Sequence, residues 1–293
     1  MLNQLTPIIL PVFTCALLGF IWGRSSIPFE REFLTRIAMN IGAPCLILKG
    51  IASLESDATD FGLMMGIGIA VLLGTLLISM VILRLLCQPL RSYIPPVVYG
   101  NAGNLGLPLC YLAFGPDGLG LAVAIYLVGA VSKFTLVPLF QGQQPAAKVL
   151  VQTPIIYAAI GGVTLLATDT TMPLWFGNTV DLLAGLAIPL MLLALGHALS
   201  SFRIHRAGTA VGLALLRLGL GFAMGWSAVW IFDLTGIMRG VVLIQSTMPV
   251  AVFNYLLASR YNRHPEDVAG SILVSTILAF LILPFLLTYA LAG

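Results

Sequence analysis

The chain has 293 residues, 59% of them hydrophobic and only 9% charged, with a mean hydropathy of +1.03. Soluble domains carry about 25% charged residues, so the composition argues against one and for a polytopic membrane protein lying in a lipid bilayer. A net charge of +3 is too small to imply a nucleic-acid partner.

The first apolar run, at 5–22, contains Pro7 and Pro11 and has no basic residue before it. It reads as a first span, not as a cleaved signal peptide. Further runs follow at 33–54, 61–83, 94–114 and 118–140. After a short polar connection at 141–148 they resume at 149–168, 180–199, 207–232, 237–258 and 267–291. Each is near the ~20 residues that a spanning helix needs. The pattern predicts an all-α fold of ten transmembrane helices, with residues 1–140 and 149–293 as two five-helix halves. Cys15, Cys45, Cys87 and Cys110 fall in or beside these runs without metal-type spacing, so they read as small core residues, and no cofactor or metal is expected.

The loops alternate in charge. Arg24, Arg31, Arg36, Arg84, Arg91, Lys148, Arg203, Arg206, Arg260 and Arg263 fall in one set. Glu55, Asp57, Asp60, Asp117, Asp169, Asp181 and Asp233 fall in the other, with Arg239 the single exception. Lysine and arginine favour the cytoplasmic side, which places both termini outside.

The halves echo each other. Pro11, Pro44, Pro108 and Pro138 match Pro154, Pro189, Pro249 and Pro284 at offsets of 143, 145, 141 and 146 residues. With five spans per half, a repeat must be inverted, which is the architecture associated with alternating access.

Within the fourth run, Gly100-Asn101-Ala102-Gly103-Asn104-Leu105-Gly106-Leu107-Pro108-Leu109 holds three glycines, two asparagines and a proline. Such a stretch interrupts a helix. In hydrocarbon the freed backbone groups are tolerated only against protein or a water-filled cavity. The repeat places Pro249 in a second break, where Gln245, Ser246 and Thr247 add polarity. Two half-helix N-termini facing one cavity suit an anion. The simpler alternative is a proline kink among small packing residues.

At these residues the sequence resembles the auxin efflux carrier family, which includes plant auxin transporters and bacterial carriers of small dicarboxylates such as malonate and malate. Asn101 to Leu109 looks like its first crossover. Pro249, the run Tyr261-Asn262-Arg263-His264-Pro265-Glu266, then Leu283-Pro284 and Tyr289 resemble its C-terminal region. The resemblance implies ten helices in two inverted repeats with crossing broken helices 4 and 9. It also implies a scaffold part and a transport part, elevator-like movement, a homodimer, and a substrate contact at the position of Asn101. The connection between spans five and six is short, unlike the long cytoplasmic loop of many plant members. This favours a bacterial-type member in the inner membrane over an auxin carrier.

Charges inside spans need a reason, since each costs about 2.5–3.5 kcal/mol or more at the bilayer centre. Lys49 either attracts a carboxylate or snorkels to the outer surface. Lys133 can snorkel inward. Arg217, about ten residues into the eighth run, falls near the midplane and should face protein or a cavity. His197 reads as interfacial, and Asn262 to His264 as a structural loop. Asn40, Asn104, Gln245, Ser246, Thr247 and Asn254 are neutral polar candidates, for a ligand or for interhelical hydrogen bonds. The expected substrate site comprises Asn101, Gly103, Asn104, Ser246, Thr247, Lys49 and Arg217, with Gly106, Pro108 and Pro249 forming the breaks.

No acid lies well inside a span, and the cationic bias points to a small organic anion, a mono- or dicarboxylate, as cargo. The coupling ion is open between H+ and Na+, because backbone carbonyls alone can bind sodium. The alternative is a sodium-coupled symporter of the bile-acid type with the same architecture. No channel filter is visible. No H-E-x-x-H, G-x-S-x-G or intramembrane aspartate pair suggests an enzyme.

Overall fold

The computed structural model describes residues 2–54, 58–141 and 151–291. Glu55, Asp57, Lys148 and most of the 141–148 connection lie outside the described residues. Twelve α-helices and two π-helical turns make up the described fold, joined by one isolated β-bridge. The helices are α1 (Leu2–Arg24), α2 (Arg31–Ile37), α3 (Ala43–Ala52), α4 (Ala58–Leu85), α5 (Leu90–Val98) and α6 (Leu107–Phe140). After the connection come α7 (Pro154–Thr168), α8 (Leu174–Ser201), α9 (Ala207–Ile231), α10 (Gly236–Ser246), α11 (Phe253–Arg260) and α12 (Pro265–Leu291).

Among the described residues, seven helical stretches are long and apolar enough to cross a membrane, and Pro154–Thr168 and Gly236–Ser246 are shorter apolar helices. The ten expected spans differ from these seven because the expected runs are interrupted or fused. The runs at 94–114 and 118–140 join in one helical stretch, Ala102–Phe140. Its direction changes at Gly115, where φ is +68° and ψ −155°, just before Pro116. That left-handed backbone suits a glycine, and the proline cannot complete the helical bonds across it. The run at 237–258 is cut between α10 and α11.

The helices fall into two groups, which meet where α1 and α3 pack on α6. α1 lies along α8, and α3 packs on both α7 and α8. In the other group α4 packs on α6 and α5, and α9 packs on α12 and α10. The α1–α8 contact brings backbones together: a Cβ at Gly19 would strike the Leu193 carbonyl, and one at Gly196 the Ala16 carbonyl. Close approach at small residues drives helix association in lipid, where burial of apolar surface contributes little. Between α2 and α3 the π-helical turn Ala38–Gly42 precedes Pro44, which sits in the first turn of α3. Such a bulge accommodates the carbonyls that a proline cannot bond.

The basic loops gather at one face. Gln141 donates to the Arg91 carbonyl at 2.8 Å and accepts from Arg263 Nε at 3.0 Å. Buried Asp267 accepts from Tyr93 Oη at 2.8 Å and from Arg206 at 3.5 Å. At the opposite end Arg239 lies 4.6 Å from the Tyr289 ring centroid. Between the two faces, large apolar side chains such as Leu77, Leu182 and Trp230 point outward, as a lipid-facing surface requires.

Candidate functional site

Both helix breaks expected from the sequence are present, and they touch. α5 ends at Val98, with Pro95 and Pro96 in its last turns. The chain then passes through Tyr99, Gly100 and Asn101 into the π-helical turn Ala102–Gly106 that opens α6. α10 ends at Ser246, and residues 247–252 lead to α11. Gly100 and Val250 form an antiparallel bridge: Asn101 N–H donates to the Pro249 carbonyl at 2.7 Å, and Ala251 N–H to the Tyr99 carbonyl at 3.1 Å. Asn254 Nδ2 also donates to the Tyr99 carbonyl, at 2.9 Å, and Val250 N–H to Ser275 Oγ at 3.0 Å.

A helix ends in unpaired carbonyls and begins with unpaired N–H groups. The carbonyl ends of α5 and α10 converge on Arg217 of α9. Its Nε donates to the Met248 carbonyl at 2.9 Å, and its Nη1 to Val97 at 3.0 Å and Val98 at 2.9 Å. Its Nη2 donates to Ser246 at 2.6 Å. A planar cation with five donors matches such a cluster, and its charge offsets the negative poles of two helix dipoles. Arg217 is therefore a clamp between the two crossovers. The packing is tight where Gly100 meets it: a Cβ on Gly100 would lie 2.5 Å from Arg217 Nη2 and 2.9 Å from the Met248 carbonyl.

The opposite poles, the N-terminal ends of the π-helical turn and of α11, border a cavity of about 310 Å3. Asn101, Gly103, Asn104 and Phe253 are among the residues lining it. Asn101 is joined there by Gln245. Both are buried, and Asn101 Nδ2 and both amide atoms of Gln245 have no hydrogen-bond partner among the described residues. A buried polar group left unpaired costs about 1–3 kcal/mol, so an amide in such a place is suited to a ligand. Gly106 makes room for Gln245, whose Oε1 lies 2.6 Å from where a Cβ would stand. The facing wall belongs to the other helix group: Thr35 and Met39, Ile155, and Met191 and Ala194. The cavity thus lies between the two groups.

Two cationic side chains line it, Arg217 and Lys133. Lys133 Nζ sits 5.5 Å from the centroid of the Tyr99 ring and 5.2 Å from that of Phe253. No carboxylate among the described residues pairs with it.

Of the residues expected at the site, Asn101, Gly103, Asn104, Ser246 and Arg217 border the cavity. Gly106, Pro108 and Pro249 shape the crossover around it. Thr247 is buried beside the second break, its hydroxyl unpaired among the described residues, but it does not border the cavity. Lys49 does not border it either; it pairs with Asp181 at 2.8 Å. Asn40 is exposed, and the His197 ring stacks on Phe29 with centroids 4.1 Å apart. For Lys133 the sequence allows an inward snorkel; in the structure it lines the cavity, its ammonium over two aromatic faces. Its charge within an apolar run was the signal that could have found it.

Residues 143–287 match the family described as Membrane transport protein. An "Uncharacterized transporter" of Methanothermobacter thermautotrophicus is 25% identical, over 95% of this chain and 96% of the relative. A second "Uncharacterized transporter", from Methanocaldococcus jannaschii, is 23% identical over 69% of each chain. A Rhizobium meliloti protein named "Putative malonate transporter" is 24% identical, over 62% of this chain and 61% of the relative.

Proposed function

We propose that the chain is a membrane transporter of the family that residues 143–287 match, and within it a secondary carrier of a small organic anion, a mono- or dicarboxylate. The observation that carries this reading is the polarity of the crossover. Arg217 occupies the carbonyl ends of α5 and α10, while the N–H ends of the following half-helices, with the Asn101 amide, border the cavity. N–H ends and unpaired amide donors favour negative charge. The malonate named for the Rhizobium relative belongs to this class. At about 310 Å3 the cavity is at the small end of ligand sites, roughly 300–1,000 Å3, which favours a small acid over a bile acid.

The mechanism we infer is alternating access by elevator-like movement of the second helix group against the first. It is supported by a cavity walled by both groups. The ten-span inverted repeat is supported by packing that repeats between the halves. α1 packs on α8 as α7 packs on α3, α4 on α6 as α9 on α12, and α4 on α5 as α9 on α10. Splitting Ala102–Phe140 at Gly115 and adding α7 and the α10–α11 pair to the other long helices gives ten crossings. A homodimer in a bacterial inner membrane, both termini outside, completes the reading, with H+ or Na+ as coupling ion.

Thermal stability of the purified protein, measured with small carboxylates, amino acids and bile acids in sodium or potassium, tests the cargo. A ligand that binds only the folded form raises Tm by mass action. Small carboxylates should raise it, and Asn101→Ala should abolish the shift while leaving the unliganded Tm nearly unchanged. Stabilisation by a bile acid and sodium alone would overturn the small-anion reading in favour of the symporter.

A further inference from the structure

Lys133 is the cavity cation that the crossover leaves available. Arg217, its only cationic neighbour on the cavity wall among the described residues, already donates to four backbone carbonyls. Lys49, the other lysine within an apolar run, is paired with Asp181. The position of Lys133 is set by both breaks at once. Tyr99 ends the first half of one broken helix, and Phe253 is the first residue of α11 in the other. Ring faces stabilise an ammonium electrostatically but supply no oxygen for its three N–H donors. A cation in such a site gains most from an anion that brings oxygens with it.

We propose that Lys133 reads the second charge of the substrate. One carboxylate of a short dicarboxylate binds the half-helix N–H ends beside Asn101, and the other binds the Lys133 ammonium. The site then discriminates dicarboxylates from monocarboxylates of similar size. Tyr99 and Phe253 act as positioning residues, tying the charge reader to the geometry of the two crossovers. The inference rests on the anion-carrier reading and names the substrate class within it.

The test compares malonate with its monomethyl ester, which loses one charge and is larger by one methyl, and with acetate, by equilibrium binding to the purified full-length protein. A charged hydrogen bond in a partly dry site is expected to give malonate an advantage of about tenfold to a hundredfold over the half-ester. In Lys133→Gln that advantage should vanish while acetate binding stays within about twofold. Lys133→Arg should restore most of it, and Asn101→Ala should weaken all three acids. Equal binding of malonate and its half-ester by the wild-type protein overturns the proposal without any variant. So does a Lys133→Gln protein that weakens acetate and malonate alike. If the wild-type protein binds no carboxylate at all, the anion-carrier reading fails and this inference fails with it.

Discussion

The two crossovers perform the same turn with different materials. The first makes room from within: Gly100 admits Arg217, Gly103 lies against Tyr126, and Gly106 accommodates Gln245. The second has no glycine between Ser246 and Phe253. Its room comes from a neighbour, since a Cβ on Gly221 of α9 would strike the Ser246 carbonyl and one on Gly225 its hydroxyl. One break is thus written in its own segment, the other in the helix it leans on. Backbone proximity is a property of pairs, so the small residue that permits it can stand on either partner.

Arg217 joins the two and should be the most sensitive position. Arg217→Ala removes the donors from four buried carbonyls and should cost roughly 3 kcal/mol or more. The expected result is a large drop in Tm in detergent, or no folded protein; Arg217→Lys, which keeps the charge but loses the planar fork, should fall between. An unchanged Tm in Arg217→Ala would show that the crossovers hold without the clamp. Next comes Gly100→Ala, whose new methyl would press on the Arg217 guanidinium and the Met248 carbonyl. Overpacking of this kind costs about 1–3 kcal/mol, and wild-type thermal stability here would mean the first break has slack. Gly225→Ala should be felt through Ser246 by displacing α9 from α10, with a smaller loss of about 1–2 kcal/mol because the Ser246 hydroxyl can rotate away and only its Cβ, at 2.9 Å, must be pushed back. Gly219→Ala, on the same helix with nothing within 4 Å of its Cβ, serves as the control and should leave Tm unchanged.

Much of this was legible in the chain. The apolar runs announced a helical membrane protein, because hydrocarbon leaves the backbone few alternatives. Both breaks were legible too, since prolines, glycines and asparagines interrupt helices by local chemistry. Placing Asn101 at the cavity needed no long-range information beyond the break itself. The number of continuous helices was less legible, since Gly115 lets two runs share one helical stretch and the second break divides another.

The three intramembrane cations show where local reasoning stops. Composition and position established that Lys49, Lys133 and Arg217 each needed a partner or a route to the surface, because a bare charge in hydrocarbon is costly. Tertiary structure decided which partner each obtained: a carboxylate on α8 for Lys49, four carbonyls of the two crossovers for Arg217, and two ring faces for Lys133. The requirement belongs to the residue and is visible in the sequence. The partner comes from segments up to 132 residues away for Lys49 and 120 for Arg217–Val97, and only the packed fold brings those segments within reach.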